Sequence, residues 1–173
     1  MTNKALLVID LQNDYFEEGK FPLWNTQNTL TNIKNAIDLA TERGIKIIHI
    51  QHIADSQAGP APFFNPDTDG ANIHPEILNQ APDADVVIKH FADSFEQTEL
   101  EAVLQQHGID ELLLCGMMTQ NCVTHTAISK AAEKYNPKVI VDCCTTVDEM
   151  IHNIALHAIS TRIPLLSSEQ AFS

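Results

Sequence analysis

The sequence predicts a three-layer α/β/α fold built on a mostly parallel, six-stranded sheet. Apolar runs of strand length alternate with segments of helical period almost to the C-terminus. The runs are continuously apolar, which is typical of parallel strands buried on both faces. At 173 residues, 44% of them apolar, the chain has enough apolar residues for a substantial core. We therefore expect a single domain over residues 1–173.

The first half of the chain starts with two predicted strands separated by a helix. Residues 5–10 (ALLVID) and 45–50 (IKIIHI) are the strands. Between them, apolar residues recur at helical spacing until Gly44, a residue suited to ending a helix. These residues are Leu30, Ile33, Ala36, Ile37 and Ala40.

Residues 51–82 interrupt this alternation. They contain repeated prolines and glycines, so they cannot form one regular element. Phe63 and Phe64 stand together in the middle of the segment. Long loops in compact domains are commonly functional, so we interpret this one as a lid, a subunit contact or a loop anchored by its own aromatic cluster.

In the second half of the chain, predicted strands and helices alternate again. Residues 85–89 (DVVIK) and 111–116 (ELLLCG) are predicted strands, and Leu100, Val103 and Leu104 mark a helix between them that ends near Gly108. A helix is predicted from Cys122 to about Tyr135, where Asn136-Pro137 stops it. Strand 138–143, a helix over 151–159 and a short strand at 163–166 complete the pattern.

Charge and composition narrow the function classes. The formal net charge is −13, with 23 acidic and 10 basic residues, so nucleic-acid phosphates and anionic lipids would be repelled. No signal peptide precedes the first strand and no apolar run approaches a membrane span, so we expect a soluble, cytoplasmic protein. The four cysteines form no CxxC motif, which favours free thiols, including the adjacent Cys143 and Cys144.

Three reactive side chains are predicted at one edge of the sheet. Asp10 ends the first strand, Lys89 ends the third, and Cys122 follows the fourth. Ligands of parallel sheets bind beyond the carboxyl ends of the strands, so these side chains should converge. Each has a structural explanation on its own: a turn cap, a solvated strand end and a small core residue. Together they supply a base, a cation and a nucleophile for acyl transfer.

The surroundings of Cys122 predict an activated thiol. A position at a helix N-terminus, with Lys89 nearby, is expected to lower its pKa. Backbone N–H groups of the preceding turn could stabilise an oxyanion. His125, three residues later, offers a second pairing for the cysteine, but Asp10 already supplies the base. Trp24, the single tryptophan, either borders the pocket or packs beneath the loop.

Three ordered motifs resemble those of the isochorismatase-like cysteine hydrolases, which include nicotinamidases and N-carbamoylsarcosine amidase. They are VIDLQNDYF at 8–16, VIK at 87–89 followed by SFEQTEL at 94–100, and GMMTQNCV at 116–123. The resemblance covers nearly the whole chain and implies an isochorismatase-like, Rossmann-like fold. It also implies a homo-oligomer that acts on a small-molecule substrate.

The resemblance implies roles for individual residues. The family's catalytic triad corresponds to Asp10, Lys89 and Cys122. A non-proline cis peptide is implied at Met117-Met118, with the amides of Met118 and Cys122 as oxyanion donors. Substrate contacts are expected from Gln12, Tyr15, Thr119 and Phe63, whereas Asp14 is expected to support local hydrogen bonds.

Two departures narrow the reaction. Family nicotinamidases carry an Asp-x-His metal pair after the second strand, but here the region has His49 and His52 without a suitably spaced acid, so we expect no metal and no other cofactor. Isochorismatases proper replace the catalytic cysteine, which is present here. The sequence thus predicts a metal-independent hydrolase that cleaves a C–N bond of a small carboxamide or carbamoyl compound through a thioester. A peroxide-sensing thiol protein and a non-catalytic acyl-metabolite binding module are the alternatives.

Overall fold

The computed structural model describes residues 2–173 and confirms the predicted architecture. Six strands form one parallel sheet in the order β3-β2-β1-β4-β5-β6. The strands are β1 (Lys4–Ile9), β2 (Lys46–His52), β3 (Asp85–Lys89), β4 (Glu111–Met117), β5 (Lys138–Thr145) and β6 (Leu165–Leu166). The order reverses direction beside β1, so the first strand lies at the centre of the sheet, as expected for a doubly wound fold.

Helices cover both faces of the sheet. They are α1 (Thr26–Glu42), α2 (Pro75–Gln80), α3 (Leu100–Gln106), α4 (Thr124–Ala127), α5 (Glu149–Ile159) and α6 (Ser168–Ala171). The face with α1, α2 and α6 packs on Leu6 and Val8 of β1. The opposite face, with α3, α4 and α5, packs on Ala5, Leu7 and Ile9. Successive residues of β1 thus point into two separate cores, which explains why the strand is apolar throughout.

Helix α1 buries the predicted apolar stripe. Leu30, Ile33, Ala36, Ile37 and Ala40 are all buried against the sheet. Gly44 follows the helix with a φ of +67°, as predicted for its C-terminal stop. Among residues 2–173, no helix is both long enough and apolar enough to cross a membrane.

The structure corrects the helix predicted from Cys122 to Tyr135. Residues Thr119–Val123 form a π-helical turn, α4 then spans only four residues, and a 3₁₀ segment covers Lys130–Tyr135. Ser129 lies between the last two with an extended backbone (φ −55°, ψ 138°). The run from Val123 to Ile128 is rich in β-branched residues, which lose side-chain freedom in a helix, and this weakens a continuous helix here.

Residues 51–82 are irregular, as predicted, but they contain short regular pieces. Two 3₁₀ turns lie at Ser56–Ala58 and Asp69–Ala71, and α2 follows with Pro75 in its first turn. Strand β2 also extends two residues beyond its predicted end at 50. It does so because Gln51 and His52 pair with Ile88 and Lys89 of β3.

The amino ends of the strands carry charged residues that pair with one another. Lys4 and Lys138, the first residues of β1 and β5, lie 3.1 and 2.8 Å from Glu111, the first residue of β4. Lys46 of β2 lies 2.9 Å from Asp85 of β3. We call this group of five residues the amino-edge ion pairs.

Candidate active site

The carboxyl edge of the sheet brings together the three predicted reactive residues and one further residue. Asp10 directly follows β1, His52 and Lys89 are the last residues of β2 and β3, and Cys122 lies in the turn after β4. Asp10 and Lys89 are fully buried, and Cys122 is 3% exposed. Charged and nucleophilic groups are therefore concentrated where water is almost excluded.

The Lys89 ammonium is the centre of the cluster. Its Nζ lies 3.1 Å from Oδ2 of Asp10 and 3.2 Å from Sγ of Cys122. It also donates to Nδ1 of His52 at 2.8 Å and to the carbonyl oxygen of Phe91 at 3.0 Å. Burial disfavours the charged amine, but the negative charge of Asp10 and the hydrogen-bonding contacts with Cys122 and Asp10 outweigh burial and raise the pKa of Lys89. The amine is therefore positively charged in the folded protein.

Asp10 is held in a costly backbone conformation. Its φ of +56° lies in the left-handed region, which aspartate tolerates better than most residues but which still costs energy. Among residues 2–173, neither carboxylate oxygen has a hydrogen-bond partner, although Oδ2 forms the ion pair with Lys89. A buried carboxylate with spare acceptor capacity can take a proton from a neighbouring group.

The thiol of Cys122 is not activated in the way that the sequence predicted. Burial and the negative charge of Asp10 raise its pKa, and the opposing attraction of Lys89 is smaller. The four-residue α4 also supplies little helix dipole. Without substrate, the cysteine is thus a neutral thiol beside a carboxylate. The prediction of a lowered pKa was wrong because it omitted burial and placed the residue on a long helix.

His52 is a site residue that the sequence analysis did not assign. Burial and the neighbouring charge of Lys89 lower its pKa to about 4, so the imidazole is neutral near pH 7. Since Nδ1 accepts from Lys89, the proton lies on Nε2. The signal that could have identified His52 is its place at the end of a strand adjacent to β1 and β3.

The turn after β4 contains the expected cis peptide bond between Met117 and Met118. In the described part of the chain, the Met118 amide donates to no backbone or side-chain acceptor. Gly116, just before it, has a φ of +125°, and a Cβ there would lie 2.1 Å from the carbonyl oxygen of Ile9. The turn therefore packs directly against the end of β1, which carries Asp10.

Aromatic side chains lie beside the reactive cluster. Tyr15 is buried, and its ring centroid lies 4.5 Å from that of Phe64 and 5.3 Å from that of Phe63. Burial, followed by the negative charge of Asp10, raises the pKa of the Tyr15 phenol, so its hydroxyl stays protonated. We call Tyr15, Phe63 and Phe64 the aromatic wall. Two of these residues, Tyr15 and the partly buried Phe63, are among those expected to contact substrate.

Gln12 and Thr119 use their polar groups within the protein. The Gln12 amide nitrogen donates to the carbonyl oxygens of His52 and Ala71, and its oxygen accepts from the His52 amide. Thr119 Oγ1 lies 2.8 Å from Nδ1 of His152. Both side chains are fully buried, so the structure gives them positioning contacts, and direct substrate contact by either stays a prediction.

Asp14 joins the loop after β1 to the long loop after β2. Its Oδ2 accepts from the Phe64 amide at 2.8 Å, and its Oδ1 accepts from the Lys20 amide at 3.2 Å. These bonds match the local supporting role expected for Asp14. They hold the aromatic wall in place.

The remaining candidates lie elsewhere or have other partners. His125 is exposed, and its Nδ1 bonds the carbonyl oxygen of Asn121, which gives no support to a pair with Cys122. Cys143 and Cys144 are buried free thiols. The Trp24 ring lies 5.9 Å from that of His152, and its backbone bonds Thr146, so it packs beside the buried pair of Thr119 and His152.

Comparisons with known proteins agree on one family over nearly the whole chain. The family model of the isochorismatase domain matches residues 4–170. The isochorismatase family protein YddQ of Bacillus subtilis is 37% identical over 149 residues, which cover 86% of this chain and 81% of that protein. The nicotinamidase of Escherichia coli is 31% identical, with 86% and 85% covered.

The comparison with solved structures points to the same family. An isochorismatase hydrolase from Oleispira antarctica superposes with a TM-score of 0.87 and 32% identity, covering 99% of this chain and 96% of that one. The chain therefore belongs to the isochorismatase family.

Proposed function

We propose that this protein is a cysteine hydrolase that cleaves the C–N bond of a small carboxamide or carbamoyl compound. The observation that carries the proposal is the placement of one buried ammonium, Lys89, against both a carboxylate and a thiol, at 3.1 and 3.2 Å. Such a set supplies a base, a nucleophile and charge compensation in a site shielded from water. The nicotinamidase relative supports amide hydrolysis as the reaction class.

The raised pKa of the Cys122 thiol defines the first step. Asp10 takes the thiol proton as sulfur attacks the carbonyl carbon, so that a free thiolate need not accumulate beforehand. Lys89 offsets the negative charge that develops on sulfur. The amides of Met118 and Cys122 stabilise the oxyanion.

The intermediate then collapses and is hydrolysed. Asp10 returns its proton to the departing nitrogen, which leaves as ammonia or an amine, and the acyl group stays on Cys122 as a thioester. Water, deprotonated by the same carboxylate, attacks the thioester. The products are a carboxylic or carbamic acid and the regenerated thiol.

We propose that this chemistry is metal-independent. Asp10, His52 and Cys122 each offer a ligand atom within 4.8 Å of the others, which makes them the candidate ligands for a metal ion. The charged Lys89 nitrogen contacts all three and occupies the space between them. A cation bound there would meet that ammonium, so these residues do not fit a metal. Treatment with a strong chelator should leave turnover unchanged, and loss of activity restored by added zinc would overturn this point.

The nucleophile is tested by Cys122→Ser, which changes one atom of a buried side chain. A panel of primary amides should show ammonia release by the wild type and none by the variant, while the thermal unfolding temperature stays within a few degrees. Mass spectrometry of wild-type protein quenched during turnover should show an acyl group on Cys122. Turnover by Cys122→Ser at the wild-type rate would refute the assignment.

The raised pKa of the Cys122 thiol disfavours a peroxide-sensing function. Thiolates react with peroxide, and a thiol of raised pKa forms little thiolate near pH 7. An acyl-metabolite binding module would bind amides without releasing ammonia. The amide panel therefore separates both alternatives from hydrolysis.

We also propose that the chain forms a homo-oligomer. Support comes from apolar side chains on the outer surface of α5, where Met150 is 72% and Ile154 is 61% exposed. Burying such groups against another copy would be favourable. Light scattering coupled to size-exclusion chromatography gives the mass directly, and a value of 19.2 kDa would contradict the proposal.

A further inference from the structure

Among residues 2–173, the site has one cation, Lys89, and its hydrogen bonds are already used. An ammonium carries three N–H groups. Lys89 faces four acceptors, namely Asp10, His52, the Phe91 carbonyl and Cys122, at 2.8 to 3.2 Å. It therefore has no N–H left for a carboxylate or phosphate on a substrate. Its positive charge is also matched by the buried Asp10 carboxylate, whose Oδ2 lies 3.1 Å away.

Three histidines near the site, His52, His74 and His152, add no positive charge. Burial and Lys89 lower the pKa of His52 to about 4. Burial also lowers the pKa of His74, next to Phe16, and of His152, which contacts Thr119. Near neutral pH these three rings are uncharged, so none of them can replace Lys89 as a counter-ion.

Most other basic side chains lie away from the carboxyl edge. Lys4, Lys46 and Lys138 belong to the amino-edge ion pairs at the opposite ends of the strands. Arg43 and Arg162 lie three residues before the first residues of β2 and β6, which places them near the same amino edge.

The other lysines pair on the outside of the helices. Lys34 of α1 pairs with Glu76 of α2. Lys130 pairs with Glu133, and Lys134 pairs with Glu101.

The loops that surround the site carry acids instead. Residues 53–74, after β2, contain Asp55, Asp67 and Asp69 and no lysine or arginine. Residues 90–99, after β3, contain Asp93, Glu96 and Glu99 and again no lysine or arginine. Both loops start at the carboxyl edge, directly after His52 and Lys89, and each carries a net negative charge; we call these two loops the acidic entrance.

Lys20 is the single exception in the loop after β1. It is exposed, and Glu17 and Glu18 stand just before it in the chain. Its backbone amide, rather than its side chain, contacts Asp14. This lysine provides the natural control for the inference.

We propose that the site accepts neutral or cationic amides and rejects amides that carry a carboxylate or phosphate group. The proposal rests on the hydrolase function proposed above and specifies its substrate class. An anionic group would lose its hydration without finding a counter-ion in the site, which is costly. The acidic entrance would also slow its approach, whereas it would favour a cation.

The first test compares two alkylating reagents of nearly the same shape, and it needs no turnover. Iodoacetamide is neutral and iodoacetate is anionic, and the labelled cysteine is identified by peptide mass. We expect the ratio of their rate constants at Cys122, neutral over anionic, to be at least tenfold larger in the folded protein than in the urea-unfolded chain. The ratio should shrink as salt is raised, because salt screens the entrance charges. An equal or smaller ratio in the folded protein would overturn the proposal.

The second test uses three amides of similar length: butyramide, the anionic succinamate and the cationic 4-aminobutyramide. The value of kcat/KM should be at least tenfold lower for succinamate than for butyramide, and 4-aminobutyramide should equal or exceed butyramide. Lys20→Ala should leave these ratios unchanged. A selective loss of succinamate hydrolysis in that variant would show that Lys20 binds the anion, and would overturn the proposal.

Together, the two tests distinguish failure of the hydrolase proposal from failure of the charge-selectivity proposal. If succinamate is the best substrate, hydrolysis stands and the charge selectivity falls. If no amide is hydrolysed while Cys122 still discriminates against iodoacetate, the hydrolase proposal falls and the charge selectivity of the site stands.

Discussion

The Lys89 ammonium lies 2.8 Å from Nδ1 of His52, closer than it lies to Asp10 or Cys122. The two residues are register partners at the ends of neighbouring strands β2 and β3. The pairing of β2 with β3 therefore sets the position of the Lys89 ammonium. His52 adds an uncharged hydrogen-bond acceptor that orients the Lys89 side chain. Because the ring is uncharged, it does not neutralise the positive charge of the lysine.

Asp10→Asn should separate thiol ionisation from catalysis. Asp10 contributes to the raised pKa of Cys122, so its neutralisation should lower that pKa and shift the pH profile of iodoacetamide alkylation to lower pH. Turnover should nevertheless fall by about 10²-fold or more, because the base is lost. Glu96→Gln, an exposed change in a nearby loop, is the control and should alter neither. An alkylation profile identical to that of the wild type would contradict the coupling.

Lys89→Met should destabilise the fold as well as abolish turnover. Removing one partner of a buried ion pair leaves the other charge uncompensated, which costs about 3–5 kcal/mol. The double variant Asp10→Asn/Lys89→Met should unfold at higher urea concentration than Lys89→Met alone. If the two variants have the same urea midpoint, the buried pair is not coupled in the way described.

His52 should make stability depend on pH. Its folded pKa of about 4 lies below the unfolded value of about 6.5, so the unfolded state binds a proton first as pH falls. The stabilisation is therefore complete above pH 6.5 and is lost as pH falls towards 4, up to about 3 kcal/mol. His52→Asn keeps a polar side chain but cannot titrate. Urea unfolding between pH 7 and 4 should show a flatter profile for His52→Asn, and parallel profiles would count against the assignment.

Gly116 and Gly44 form a matched pair, since both have positive φ. Gly44→Ala meets nothing within 4 Å, so it should cost only the penalty of placing a residue with a Cβ in the left-handed region, roughly 1–2 kcal/mol. Gly116→Ala would place a Cβ 2.1 Å from the carbonyl oxygen of Ile9, which is backbone and cannot move aside cheaply. It should cost several times more or prevent folding. Similar urea midpoints for the two variants would contradict the close approach of β4 to β1.

Asp14→Ala should expose the thiol. It removes the acceptors of the Phe64 and Lys20 amides, and leaving the buried Phe64 amide without a partner costs about 1–3 kcal/mol. The aromatic wall should then open more often, so that Cys122 reacts faster with a bulky maleimide. Asp69→Ala, an exposed change in the same long loop, is the control. Equal maleimide rates in wild type and Asp14→Ala would show that this bond does not hold the wall.

The sequence predicted the sheet and the three reactive residues because each depends on local pattern. Asp10, Lys89 and Cys122 each follow an apolar run, and the parallel topology then requires the runs to end at one edge. His52 was missed because the apolar run of β2 stops at Ile50. The strand continues only because β3 pairs with it, which is a tertiary contact.

The pKa of Cys122 and the length of its helix could not be predicted for a related reason. The sequence predicted one helix from Cys122 to about Tyr135, but the backbone becomes extended at Ser129. The direction of the pKa shift depends on how completely the thiol is buried and how near Asp10 lies. Neither quantity is encoded in the order of neighbouring residues.

The amino-edge ion pairs have an evolutionary consequence. Substitutions at Lys4, Lys46 and Lys138 can tune how firmly the strands are held together while the reactive groups, one strand length away, keep their geometry. Substitutions in the loops at the other end can change which molecules enter without loosening the sheet. Selection for heat tolerance and selection for a new substrate can therefore proceed in this chain through separate sets of residues, with little conflict between them.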